Sequence, residues 1–525
     1  MNLSAFFPLD WSREQNRWRN FYDGLLESRL AWAVAFASRA SPQDLRPRLP
    51  SLLTLLEEAL RREVAPVQTA ALIAALHPWP LRWGYWAVWE VHMRHVLSVS
   101  PALPPAQQAL FWMHLGHILE ATGRHTEAEK AFSRASARTV EAGDTVALVR
   151  VGYRWVNLLL AMERFEAARQ QLRTVERAMR TARPSLPPEE RILADAYLAL
   201  ASESVLRRKG EIPQALERIE RAIHGLQVSA DRHLPLLAEL FARAGILTWE
   251  EEDFRASETN LRQALAYYRT LEDRFAEAEI LGDLGLVYWS MFALDEAEAS
   301  LLQSLRISEE LNARGRMAVD VGNLALVYLT RGDLALSETY LLRQRALARQ
   351  SGLQHEAWRA DGNLPLVYFL QGEYERAIPG LEKQRTLERA NGMLRSWAVS
   401  NLFLGVAYVM TGQTSYGLGL LQEALDVATR LNSEVLLGLG LRAQSLVLPP
   451  RDVRFFLQHA LAIARRYERP FDEAACLLWQ AKFSESENLR RALWEEGCAI
   501  LRRLRAESWL EGRSPENPPI LPFLR

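Results

Sequence analysis

Leu281-Gly-Asp-Leu-Gly-Leu-Val-Tyr288, Val321-Gly-Asn-Leu-Ala-Leu-Val-Tyr328 and Asp361-Gly-Asn-Leu-Pro-Leu-Val-Tyr368 are three versions of one motif, forty residues apart. Asn401-Leu-Phe-Leu-Gly-Val-Ala-Tyr408 is a fourth. Fixed spacing of this kind marks an array of supersecondary units rather than one compact core. Leu and Tyr within the motif lie three to four residues apart, which is one face of a helix. Further columns keep the same period. Gly332, Gly372 and Gly412 hold one phase of a turn. Small residues follow at Ser257, Ala297, Ser337, Ala377 and Gly417, then leucines at Leu261, Leu301, Leu341, Leu381 and Leu421. Asn312, Gly352, Gly392 and Asn432 share the phase that ends each unit.

Each column has a physical cause. Small residues let two antiparallel helices approach closely. Gly and Asn accept the left-handed conformation that closes a helix. Each unit is therefore predicted to be a helical hairpin that stacks on the next. The expected fold class is all-α, a right-handed superhelical solenoid of antiparallel helix hairpins. About eight hairpins are expected between residues 109 and 432.

The chain resembles tetratricopeptide-repeat (TPR) proteins. The sharpest single copy is Trp112, Leu115, Gly116, Leu119, Gly123, Ala128, Phe132 and Ala135, with Leu119 where the family pattern has Tyr. Weaker copies run through Trp155–Val175, with Ala168 in the small position, and Leu198–Ala222, with Ala215. Forty-residue units are similar to the sensor arrays of STAND-type signal-transduction ATPases and to G-protein-signalling TPR scaffolds.

Four segments are expected. Residues 1–100 form a helical, Trp-rich N-terminal cap, and 101–432 form the repeat array. Residues 433–512 hold a degenerate hairpin and closing helices, and 513–525 form a Pro-rich tail. Solenoids need caps over their terminal apolar faces. The cap's tryptophans could also serve as an aromatic docking surface. Pro515, Pro518, Pro519 and Pro522 make the tail extended, either packed on its own solenoid or free as a docking peptide.

Composition narrows function. The 525 residues carry 63 Lys+Arg and 64 Asp+Glu, a net charge of −1, which excludes a chain built as a polycation for nucleic acid. The helices carry mixed charge, such as Glu296, Glu298 and Arg306, rather than a basic stripe. Two cysteines cannot build a disulfide framework. Met1–Trp11 has neither a basic n-region nor a long apolar run, so no signal peptide is expected. No stretch reaches the ~18 apolar residues of a membrane span. A cytoplasmic location follows as the expectation.

No phosphate-binding glycine loop, zinc-protease helix or nucleophile elbow is present. Cys476 and Cys498 have no nearby histidine to act as base and read as buried apolar residues. His92 with His95, and His114 with His117, share helix faces, and His125 follows in the next turn. Two such pairs could hold zinc, but no cysteine or carboxylate completes the set. No cofactor and no catalytic site are expected.

The working surface is expected on the first helices of the hairpins. The family resemblance implies a concave groove in which an Asn before the motif Leu binds the backbone of an extended peptide. The matching positions are Asp283, Asn323 and Asn363, with Phe403 departing. An amide can pair with a peptide C=O and N–H together. Leu286, Leu326 and Leu366 follow three residues later, and Trp289, Leu329 and Phe369 three further, on nearly the same helix face. This strip could also pack one hairpin on the next, although groove lining is the favoured reading, and the two Asn could equally bond an adjacent hairpin. The expected function is a non-enzymatic interaction scaffold or sensor subunit that binds a peptide or protein segment, in bacterial signalling or defence, with its effector on a separate protein. The rival reading is a small-ligand receptor built around residues 79–117.

Overall fold

The computed structural model describes residues 11–77, 79–98, 103–227, 233–351, 353–390 and 392–523. Gly352, residues 1–10, Leu524 and Arg525 lie outside them. Among the described residues every regular element is helical, and β pairing is limited to one isolated bridge, Ser514 with Asn517. The chain divides into two compact units, Met1–Ile280 and Leu281–Arg525.

The first unit opens with helices Trp11–Ala37, Leu49–Arg62, Pro66–Leu76 and Trp86–Ser98. Pro66 stands at the first position of its helix, where its missing N–H leaves no bond unmade. Four hairpins follow: Pro105–Ala121 with His125–Ala142, Thr145–Ala161 with Phe165–Ala182, Pro188–Lys209 with Ile212–Gln227, and Leu234–Glu250 with Phe254–Thr270. The cap and the first hairpin share one core, in which Trp89 and Met93 pack with Phe111, Leu115 and Phe132. Burying such side chains contributes roughly 1.5–3 kcal/mol each. On Trp11–Ala37, Trp18, Phe21, Tyr22 and Trp32 remain exposed.

The second unit continues with Arg314–Arg331 and Leu334–Gln350, Gln354–Leu370 and Tyr374–Ala390, Leu394–Met410 and Thr414–Arg430, and Glu434–Ser445 and Pro450–Arg466. It closes with Pro470–Lys482 and Glu487–Arg503. The last helix stops at Arg503, and a short 3-10 turn, Glu507–Leu510, follows.

The columns do what their chemistry requires. Ser257, Ala297, Ser337 and Ala377 are fully buried, and so are Leu261, Leu301, Leu341, Leu381 and Leu421. The Ser257 hydroxyl donates to the Gly245 carbonyl at 2.7 Å, and Ser337 donates to Ala325 at 2.8 Å. At Gly417 a Cβ would come within 2.5 Å of the Gly405 carbonyl. Gly332, Gly372, Gly392 and Gly412 all have positive φ, as do Asn312 and Asn432. Phe292 breaks the glycine column yet adopts φ 57°.

Candidate partner-binding surfaces

First helices of successive hairpins touch one another, so they form a continuous face in each unit. On this face of Leu281–Arg525 the chain has folded its own C-terminal segment. Trp509 donates its indole N–H to the Thr330 carbonyl at 2.9 Å, and the Ser508 hydroxyl donates to Asp333 at 2.6 Å. The proline-rich stretch beyond is held by side-chain donors aimed at its carbonyls. Trp479 Nε1 donates to Pro519 O at 2.9 Å, and Arg442 Nη2 donates to Pro522 O at 2.6 Å. Phe523 is buried edge-on against Phe403, which itself packs on Phe369.

Arg442 is the hub of this seat. It is 3% exposed. Its Nη1 pairs with Asp472 at 2.6 Å, and its guanidinium covers the Phe523 ring. Burial pulls its pKa down while Asp472 opposes the shift. A buried cation needs both the counter-charge and the carbonyl acceptors.

The residues expected to line a groove are in this unit. Asp283, Leu286, Trp289, Leu326, Asn363 and Leu366 are half-buried. Asn323 is 1% exposed and accepts from Arg359 of the next hairpin at 3.0 Å. Leu329 and Phe369 are buried in the unit's core, and Leu366 packs against it. Trp289 donates to Thr330 at 2.8 Å. Phe403, which departs from the amide column, is the contact for Phe523. The described tail takes the packed alternative that the sequence left open, but Arg442 and Trp479, which seat it, were not singled out. One available signal was an arginine inside the apolar run Val435-Leu-Leu-Gly-Leu-Gly-Leu-Arg442-Ala.

The same face of Met1–Ile280 carries a polar cluster from three first helices: His114, His117 and Glu120; Arg150, Tyr153 and Arg154; and Glu239 and Arg243. Burial opposes charge on Glu239, but Arg154 and Arg243 hold its carboxyl below the usual range. The Tyr153 hydroxyl donates to Glu239, and Arg243 donates to Tyr153 at 3.4 Å. Burial raises Glu120 to about 7 and lowers His117 to about 3. His77, from the cap, stacks on His114 with ring centroids 3.3 Å apart.

Among the described residues no three His, Cys, Asp or Glu side chains gather to hold a metal ion. His92 packs beside Trp89 in the cap core, whereas His114 faces His77. Cys476 and Cys498 are free and buried, and burial pushes the Cys476 thiol up to about 12. A cleft of about 540 Å³ is lined by Gln43, Arg46, Arg269, Arg274 and Glu277, and its Arg269 and Arg274 both pair with Glu277. Among the described residues no helix is long and apolar enough to cross a membrane.

A family model of the tetratricopeptide repeat matches residues 109–137 and 278–311. Those two stretches match tetratricopeptide repeats, and the described residues around them form a helical solenoid of similar hairpins. The chain's fold is similar to that of a Rap protein complexed with Competence and Sporulation Factor, with TM-score 0.54 and 14% identity over 70% of this chain and 100% of that one. The apo form of the quorum sensor NprR from B. thuringiensis matches at 13% identity and TM-score 0.46, covering 70% and 98%. A STAND protein with a tetratricopeptide-repeat sensor from Pyrococcus horikoshii matches at 13% identity and TM-score 0.44, covering 70% and 52%. No curated protein matches the sequence.

Proposed function

We propose that this protein is a non-enzymatic, cytoplasmic interaction scaffold or sensor subunit that binds a peptide or protein segment on the first-helix face of its repeats. The observation that carries this reading is the C-terminal segment. A proline-rich, extended stretch of chain sits on that face, held by Trp479 and Arg442 through its carbonyls and by Phe403 through one aromatic side chain. Backbone capture plus one apolar anchor is how extended peptides are recognised. The Rap protein of similar fold is itself a complex with Competence and Sporulation Factor.

The partner segment would cross the half-buried strip Leu286, Leu326 and Leu366, with Asp283 and Asn363 as polar contacts. Trp289 borders that strip. Asn323, Leu329 and Phe369 would support it from beneath, being covered by the chain itself. A sensor of this kind would act on an effector carried by a separate protein in bacterial signalling or defence.

The test is a peptide-display selection against the full chain, followed by binding to the Leu286→Arg, Leu326→Arg, Leu366→Arg triple variant. Selected peptides should bind the native chain and lose about tenfold or more on the variant, with helicity retained. Undiminished binding would remove the strip from the site. Thermal stabilisation by metabolites and by no peptide would favour the small-ligand receptor.

A further inference from the structure

Arg150 lies half-buried on the first-helix face of Met1–Ile280, and its Nε is buried without a hydrogen-bond partner. No carboxylate pairs with it among the described residues. This sets it apart from Arg154 and Arg243, which face Glu239. Its titratable neighbours are instead His77 and His114, both kept neutral by burial. His114 is 3% exposed, and neither of its ring nitrogens has a partner; Nδ1 of His77 is also buried and unpartnered. Buried polar atoms are almost always satisfied, so three imidazole nitrogens and the Arg150 Nε without protein partners are chemistry that a ligand can meet.

We propose that Arg150, His77 and His114 together form a binding site for a single carboxylate group. The guanidinium fork offers two parallel N–H donors that match the two carboxylate oxygens. Each neutral imidazole can turn one N–H donor toward the same oxygens. The stacked rings, from the cap and from Pro105–Ala121, hold those donors in place. A single negative charge fits better than two. Glu239 lies beside His117, one turn beyond His114, and would repel a dianion. Burial already lowers His77 to about 3, consistent with rings that meet the ligand as neutral donors. The site is separate from the Leu286–Leu366 strip and stands without it.

The 525-residue chain should be titrated with sodium acetate, inorganic phosphate and three pentapeptide pools. The first pool has free C-termini and no acidic residue. The second is C-terminally amidated with Asp or Glu present, and the third is amidated and acid-free. Saturable binding of acetate or of either carboxylate-bearing pool is expected, and which of them binds identifies the source of the carboxylate. Arg150→Met should weaken it about tenfold or more with unchanged helical circular dichroism. Arg150→Lys, which keeps the charge and loses the fork, should also weaken it, and it serves if the Met variant fails to fold. The proposal is overturned if the acid-free pool binds as well, if phosphate binds better than every carboxylate, if no carboxylate probe binds, or if both Arg150 variants bind like the native chain.

Discussion

Phe292 stacks nearly parallel on Phe471, with ring centroids 6.0 Å apart and planes inclined by 14°. The two residues lie at opposite ends of the second unit's sequence. Phe292 holds φ 57°, a region that bulky side chains avoid. Glycine fills the equivalent turn at Gly332, Gly372 and Gly412. The local backbone therefore opposes Phe292, and the contact with the closing helix Pro470–Lys482 retains it.

Two substitutions at that position separate the terms. Phe292→Gly and Phe292→Ala both lose the stack, worth roughly 0.5–1.5 kcal/mol beyond burial. Alanine keeps the left-handed strain, whereas glycine removes it but adds freedom to the unfolded chain. The expected order in urea denaturation is native, then Gly, then Ala, with Gly above Ala by roughly 0.5–1 kcal/mol. Ala above Gly would mean the turn carries no strain.

Removing the tail's anchors should unseat it. Phe523→Ala deletes a buried ring against Phe403, and about 3–5 kcal/mol is expected for such a truncation. Arg442→Met leaves Asp472 with only Arg469 and frees the Pro522 carbonyl. About 3 kcal/mol is expected there. Both variants should become clipped after Leu510 in limited proteolysis while the Arg314–Arg430 hairpins stay protected. Equal resistance of native and variant tails would show that the seat contributes little.

The hairpin contacts predict a specific rescue. A Cβ at Gly285 would lie 2.5 Å from Leu301 Cγ, and one at Gly245 would lie 2.6 Å from Leu261 Cγ. Gly285→Ala should cost about 1–3 kcal/mol by overpacking. Gly285→Ala should cost less when added to a Leu301→Ala chain than when added to the native chain, because the Cγ and both Cδ carbons it would meet are then absent. Simple additivity in a double-mutant cycle would mean the helices separate instead of clashing.

The sequence made the hairpins legible because their determinants are local and periodic. Ser257, Ala297, Ser337 and Ala377 repeat because every hairpin solves the same close approach. The fold-back of the C-terminal segment has no such signature. Trp509 meets Thr330 across 179 residues, and Arg442 meets Pro522 across 80. The traces visible beforehand were breaks in columns: Phe403 where an amide stands elsewhere, and Phe292 where glycine does. For the candidate surface, spacing placed Leu286, Leu326 and Leu366 on one side of their helices. It could not tell that Asn323 bonds Arg359 rather than facing outward. His77, His114 and Arg150 come from three separate elements, so no spacing rule brings them together.

Acid should loosen the first unit before it reaches ordinary carboxylate titration. Burial depresses His77 and His117 to about 3, and His114 well below its usual value. Their neutral forms suit the folded state, while the unfolded chain takes up protons near pH 6.5. Stability from these groups is therefore complete above about pH 6.5 and is lost as pH falls toward 3. Glu120 works in the opposite sense. Raised to about 7, it contributes below about pH 4.5, and that contribution disappears as pH rises through 7. Between pH 6.5 and 4.5 three imidazoles oppose one carboxyl, so the net effect is a loss of stability as pH falls. Hydrogen exchange across Pro105–Ala161 at pH 7.5 and pH 5, corrected for intrinsic rates, should show faster opening at pH 5. His117→Gln should shrink that difference, and Glu120→Gln should enlarge it. Identical opening at the two pH values would mean these imidazoles are charged or solvated in the native state.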